Sequence, residues 1–575
     1  MTKKDYKSKF FRIINKRMVL FQGFVTLIFL ILLANLFVLQ VLDLNEYKLK
    51  GIDIRSSKSL ILRGDILDRN GVKLATDELD YEVYAHPRLF SAKYPPEKLA
   101  RLLAPELKMS EKELISILKS KKFSIITVKK HVDRISAENI KKLGLREISV
   151  EKVKRRLYPQ GNLASHILGY YSYLSQNSTG IENIANTKLE GDVFGKIRQS
   201  GIQHTANGDI IFGIDTDVQS VTKRVKCPDT TLTIDSAVQY ICEKELAKTI
   251  KSTKADRGVV IVTDVTNGEI LAYASYPDFN PNRFWKFSQT QLKNWSLTDV
   301  YPPGSTFKIV TVATALDLGV LNEASKVYDS GTMVIDKHQI KNNDVKIHPH
   351  PGMISLEYLF EHSSNVGSAN IALMLDKNSY YAKLRDFGFG QATGIDLTAE
   401  SIGILPKPEK WYKSKHASMG YGYGASVTAI QMISAVSAIA NGGIWITPHV
   451  IKYSPEELSK HVIKRRVISE QTSKSVTKLL SRSIANGKTP LNLDKYTTCA
   501  KTGTSRKDVR SGKYVYASAI GYIPASNPKI AIYVVIDSPK TGVDYGGTIA
   551  SPLFRKIATD VGTMLNIPSD KVKQR

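Results

Sequence analysis

The strongest hydrophobic pattern in the chain is the run Met18 to Leu42, which contains no charged residue. As a helix it would be roughly 38 Å long against roughly 30 Å of hydrocarbon, so it predicts a tilted transmembrane span. Before it, residues 1–17 carry Lys3, Lys4, Lys7, Lys9, Arg12, Lys16 and Arg17 against one acid, Asp5. That asymmetry predicts a cytoplasmic tail, with everything after about residue 43 outside the cytoplasm. A cleaved signal peptide would have a shorter apolar core and a small-residue cleavage site, and Leu36 to Tyr47 offers none.

Downstream, Asn70-Gly71 followed by the alternation Tyr81 to Ala85 predicts a hairpin. Pro95 and Pro96 open a helical segment, and Ser110 with Glu113 has capping-box spacing, so residues 88–150 read as a mostly helical insertion. Apolar residues from Leu232 to Leu246 lead into a helix. Gly258–Val265 and Glu269–Ser275 are β-rich and joined through Thr266, Asn267 and Gly268. A helical middle follows, then strand patterns at Thr498–Thr504, Tyr514–Ile523 and Ile530–Ile536. Strands at both ends around helices predict an α+β fold with an antiparallel sheet of about five strands. The turn Gly420-Tyr-Gly-Tyr-Gly424 precedes a helix but lacks the βαβ setting of a phosphate loop.

A chain of 575 residues with 42% hydrophobic content is too long for one ordinary domain and ample for folded cores. The expected organisation is a tail at 1–17, an anchor at 18–42, a pedestal at 43–225 and a larger domain at 226–575. The three cysteines, Cys227, Cys242 and Cys499, form no C-x-x-C and indicate neither a disulfide framework nor a zinc site. A net charge of +27 raises nucleic acid as a partner. For a protein outside the cytoplasm, anionic wall polymers or lipid headgroups fit better, and a solvated basic surface needs no partner at all.

Candidate chemistry begins at Tyr-Pro-Pro-Gly-Ser-Thr-Phe-Lys, residues 301–308. Ser305 and Lys308 fall one turn apart on one face at a helix start, where a serine can become a nucleophile and an amine its base. Alone the pair is weak evidence. Ser363-Ser364-Asn365 and Lys501-Thr502-Gly503-Thr504 complete the order Ser-x-x-Lys, Ser-x-Asn, Lys-Thr-Gly that serves acyl transfer in penicillin-binding proteins and serine β-lactamases.

The chain therefore resembles the penicillin-binding proteins. Arg63 to Ala75, Arg156 to Tyr170 and Gly180-Ile181-Glu182 resemble the pedestal motifs of class B, the type without a polymerase domain. The resemblance implies a transpeptidase domain of the penicillin-binding and β-lactamase fold, preceded by an α+β pedestal and one membrane helix. It implies D,D-transpeptidation of peptidoglycan stem peptides through an acyl-enzyme on Ser305, with β-lactams acylating the same serine and no cofactor or metal. Lys308 is then the base, Ser363 a proton relay, and Asn365 an amide holding Lys308 and substrate. Lys501 sets the field, Thr502 and Thr504 bind the substrate carboxylate, and Gly503 lets the strand approach. Ser363 to Gly367 and Tyr545 to Phe554 are similar to the septal type rather than the elongation type, and a polytopic glycan polymerase and other division proteins are the implied partners. The implied location is the bacterial inner membrane, single-pass, with a periplasmic catalytic domain.

Other readings are weaker. A class A enzyme needs a glycosyltransferase signature that 43–225 lacks, and a β-lactamase has no use for a pedestal. A sensor needs an output domain that 17 residues cannot hold. A metal hydrolase built on His338, His348, His350 and His362 lacks a carboxylate at ligand spacing. His166 invites a catalytic role but fits a pedestal-holding one better.

Overall fold

A computed structural model describes residues 18, 22–23, 26–33, 62–120, 125–173, 175–191, 227–487, 489–507 and 514–571. Most of the expected span and the whole tail lie outside the described residues. Among the described residues no helix is long and apolar enough to cross a membrane.

The chain divides into two compact units. The smaller contains Leu79–Lys154, and with it the stretch 88–150 expected to be mostly helical. It is instead mixed: helices Pro96–Leu107, Glu111–Leu118 and Arg134–Lys142 accompany a strand at Ile126–Val132. Leu99, Leu103 and Leu107 fall every fourth position and bury one helix face in a core with Leu114, Val128 and Ile140. Ser110 Oγ accepts the Glu113 amide at 3.2 Å, the forward half of the expected box.

The larger unit comprises Gly64–Glu78, Arg155–Leu189 and Pro228–Arg575. All three pedestal-like motifs, Arg63 apart, thus fold within it. Arg156 is buried and donates to Glu182 Oε1 at 2.6 Å, Gly64 O at 2.9 Å and Asp77 Oδ1 at 3.2 Å. Removing one member of such a buried charge cluster costs about 3–5 kcal/mol, because the remaining charge is left unpaired.

At the centre of the unit lies a fully antiparallel sheet of β1 (Arg257–Asp264), β2 (Ile270–Tyr276), β3 (Cys499–Arg506), β4 (Val515–Ile523) and β5 (Ile530–Asp537). The spatial order is β3-β4-β5-β1-β2, which leaves β3 at an edge. Both faces are covered, so the strands read as continuous apolar runs whose alternate residues enter different cores. Val260 and Val262 pack with α1 (Ser236–Thr253) and the C-terminal Ile549, Leu553 and Phe554, whereas Val259 and Ile261 face the central helices. Helix α1 is capped by Asp235, whose side chain accepts from the amides of Ala237 and Val238, and its Val238, Cys242, Leu246 and Ile250 make the buried stripe. The remaining helices used below are α2 (Lys308–Asp317), α3 (Asn365–Met374), α4 (Ala429–Ala440) and α5 (Gly546–Met564). All three cysteines are buried.

Candidate active site

Ser305 lies in a 3₁₀ turn, Gly304–Phe307, that runs directly into α2. In that tighter turn side chains three apart eclipse, so Ser305 and Lys308 share a face more closely than an α-turn would place them. Two segments clamp the turn. From one side the glycine-rich loop approaches, with Gly304 N donating to Gly422 O at 3.1 Å. Gly422 has φ +81, and a Cβ on it would stand 2.2 Å from Gly304 O. From the other side comes β3. A Cβ on Gly503 would meet Ser518 Oγ at 2.5 Å, Thr306 Cγ2 at 2.9 Å and Pro303 O at 3.2 Å, so only glycine lets the strand lie against the turn.

Lys308 is fully buried. Its Nζ donates to Ser363 O at 2.5 Å, to Asn365 Oδ1 at 2.8 Å and to Ser363 Oγ at 3.1 Å. Burial holds its pKa well below the ordinary lysine range, the cation of Lys501 pushes the same way, and Asp329 and Asp344 oppose them. Ser305, Lys308, Ser363 and Asn365 are therefore brought to one place. Among the described residues Ser305 Oγ has no hydrogen-bond partner.

Ser363 sits in the left-handed region at φ +54, a conformation that serine seldom adopts. It is held there from behind. Ser364 caps α3, its Oγ accepting from Gly367 N at 2.8 Å and donating in a short bond to Asp329 Oδ2. Asn342 donates to both oxygens of the buried Asp329, at 3.0 and 2.8 Å, and accepts from the amides of Asn365 at 2.8 Å and Val366 at 3.1 Å. Asn365 Nδ2 donates to Lys341 O at 2.8 Å, which turns its Oδ1 towards Lys308. Asp329 and Asn342 escape a motif search. The one signal was the tetrapeptide Lys-Val-Tyr-Asp at 326–329, where alternation buries Val327 and, with it, a carboxylate.

On β3, Lys501 is buried and donates to Thr502 O at 3.2 Å, and burial pushes its pKa down to about 8. Thr502 and Thr504 are half-buried on the alternate positions. Thr504 Oγ1 accepts from Gly546 N, the first residue of α5, at 3.0 Å. That bond leaves the hydroxyl proton free to point outward.

The other candidates separate from this cluster. Cys499 is a buried strand residue whose pKa is pushed up to about 12 by burial. His166 bonds Gln291 O at 2.9 Å and packs edge-on against Phe279, and burial lowers its pKa. Of the four histidines, His348 and His362 do meet a carboxylate, Asp344, with ligand atoms within 4.8 Å of one another. Asp344 comes from a loop, where helix or strand spacing could not reveal it. His362 Nδ1 lies 3.0 Å from Asp344 Oδ2, and His350 bonds Ser330 O at 3.2 Å.

Residues 258–559 match the penicillin binding protein transpeptidase domain and residues 60–210 the penicillin-binding protein dimerisation domain. The chain belongs to the penicillin-binding protein transpeptidases, of the class B type. It is 34% identical over 538 residues to stage V sporulation protein D of Bacillus subtilis, covering 89% of this chain and 79% of that one. It is 30% identical over 570 residues to the peptidoglycan D,D-transpeptidase FtsI of Escherichia coli K12, covering 97% and 93%. Among solved structures it resembles a peptidoglycan synthetase from Bifidobacterium adolescentis, with a TM-score of 0.64, 25% identity, and coverage of 89% and 97%.

Proposed function

We propose that this protein crosslinks peptidoglycan as a serine D,D-transpeptidase, with septal wall synthesis as its setting. The observation that carries the reading is the buried Lys308, bonded to Ser363 and Asn365, one turn from Ser305 and beneath the strand that brings Lys501 to Thr504. Ser305 Oγ attacks the carbonyl of the penultimate D-Ala while its proton passes to neutral Lys308. Burial of Lys308, with the Lys501 cation beside it, depresses its pKa and favours that state. The oxyanion is received by the N–H groups of Ser305 and Thr504, a contribution on the order of 10²- to 10³-fold per donor. The tetrahedral intermediate then collapses with cleavage of the peptide bond. The departing D-Ala amine takes the proton from Lys308 through Ser363, and an acceptor amine of a neighbouring stem peptide resolves the ester by the reverse proton route. Thr502 and Thr504 hydroxyls, with Lys501, receive the terminal carboxylate of the donor.

Intact-mass measurement with a β-lactam tests the assignment: the wild type should gain one adduct and Ser305→Ala none. Adduct formation on the alanine variant would refute it. The septal setting rests on Ser363 to Gly367 and Tyr545 to Phe554, and a fluorescent fusion distributed along the sidewall instead of midcell would remove it. The uncharged run 18–42 behind a basic tail supports a single-pass anchor with the catalytic part outside, beside a polytopic glycan polymerase.

A further inference from the structure

The Tyr423 side chain reaches from the glycine-rich loop to the exposed edge of β3. Its hydroxyl accepts from Arg506 N at 3.3 Å and donates to Thr504 O at 3.4 Å. Strand β3 pairs only with β4 within the sheet. Backbone groups of alternate residues share one side of a strand, so Thr502, Thr504 and Arg506 present their N–H and C=O groups on the free edge. A free edge of this kind accepts an extended peptide as an added strand. In an antiparallel pair, a residue whose C=O accepts from Thr504 N–H returns its own N–H to Thr504 O. With the reacting carbonyl on Thr504 N–H, as the proposed function requires, the acyl residue's N–H is therefore aimed at the carbonyl that Tyr423 already occupies.

We infer that Tyr423 is a specificity-determining gate: its hydroxyl competes with the amide N–H of the acyl donor for Thr504 O and must yield before that amide can dock. The inference rests on the assignment of Thr504 N–H to the oxyanion. Tyr423 itself takes no proton and touches no reacting atom. The ring is packed beside Tyr421, with centroids 5.6 Å apart, so loss of the hydroxyl leaves the loop its aromatic contact.

Two acylating probes separate the gate from a general effect. Benzylpenicillin carries an amide N–H beside its reactive carbonyl, whereas a carbapenem carries a hydroxyethyl group there. In Tyr423→Phe the second-order acylation rate should rise roughly 2- to 10-fold for benzylpenicillin, the worth of one competing hydrogen bond. It should stay within about 2-fold for the carbapenem. Tyr423→Leu should show the same selective gain if the phenylalanine variant proves poorly folded. Equal changes for both probes, no change, or slower acylation by benzylpenicillin would overturn the gate while leaving the serine chemistry standing. A wild-type protein acylated by neither probe would overturn the proposed function and the gate with it.

Discussion

Gly422→Ala tests whether a loop outside the three motifs fixes the position of Ser305. The added methyl would stand 2.2 Å from Gly304 O and 2.7 Å from Gly304 N, both backbone atoms that no rotamer change can move. Reaching ordinary van der Waals separation requires a shift of about 1 Å, and that shift falls on the residue preceding Ser305. A displacement of that size costs about 10²-fold in rate. Stability suffers less: the left-handed φ costs about 1–2 kcal/mol, and overpacking adds about 1–3 kcal/mol. A domain of this size should lose several degrees in Tm and still fold. Gly442→Ala is the matched control, because Gly442 also has positive φ, +60, while the nearest atom to its added Cβ is 3.9 Å away. Stopped-flow acylation read by intact mass, with Tm measured beside it, should show the slow rate only in Gly422→Ala. Near-normal acylation by a folded Gly422→Ala protein would refute the clamp. Equal slowing in Gly442→Ala would trace the effect to backbone strain at large.

Three further outcomes follow from the cluster around Lys308. Lys308→Arg keeps the charge but cannot accept a proton, so adduct formation should slow at least about 10²-fold with the fold retained; near-normal kinetics would reduce Lys308 to a positioning charge. The acylation rate should be bell-shaped in pH. It rises as the depressed Lys308 loses its proton and falls as Lys501 loses its own near pH 8, and Lys501→Arg should move only the alkaline limb upward. Asp329→Asn removes a charge that raises the Lys308 pKa, so the acid limb should move to lower pH; an unmoved limb would sever Asp329 from the lysine.

Much of this architecture was legible before any coordinates. The five strands of the central sheet lie where apolar β-rich runs placed them, because a sheet covered on both faces writes itself as continuous runs such as Gly-Val-Val-Ile-Val. The strand Ile126–Val132 was not legible. Its pairing slips register against Tyr81 to Tyr84 and His131 takes φ +58, so the period of two that marks a strand is broken. Ser305 and Lys308 announced themselves through spacing, whereas Asp329 and Asn342 act through contacts more than twenty residues away in sequence from Ser305 and have no local period to betray them. The glycine-rich loop showed its composition but not its task, since what Gly422 must avoid is another segment's backbone.

On the proposed assignment of Lys501 to the substrate's carboxylate, its burial makes recognition of that anion a proton-coupled event. With its pKa near 8, a fraction of the unliganded protein holds this amine uncharged at a mildly alkaline pH. A carboxylate settling beside it favours the ammonium, so the complex takes up a proton that the free protein lacked. The anion thereby helps to create the charge that holds it. Such binding draws protons from the buffer, and the observed heat of binding then depends on the ionisation enthalpy of that buffer. Affinity for the anion falls as the pH climbs past 8, even though the carboxylate itself is ionised throughout.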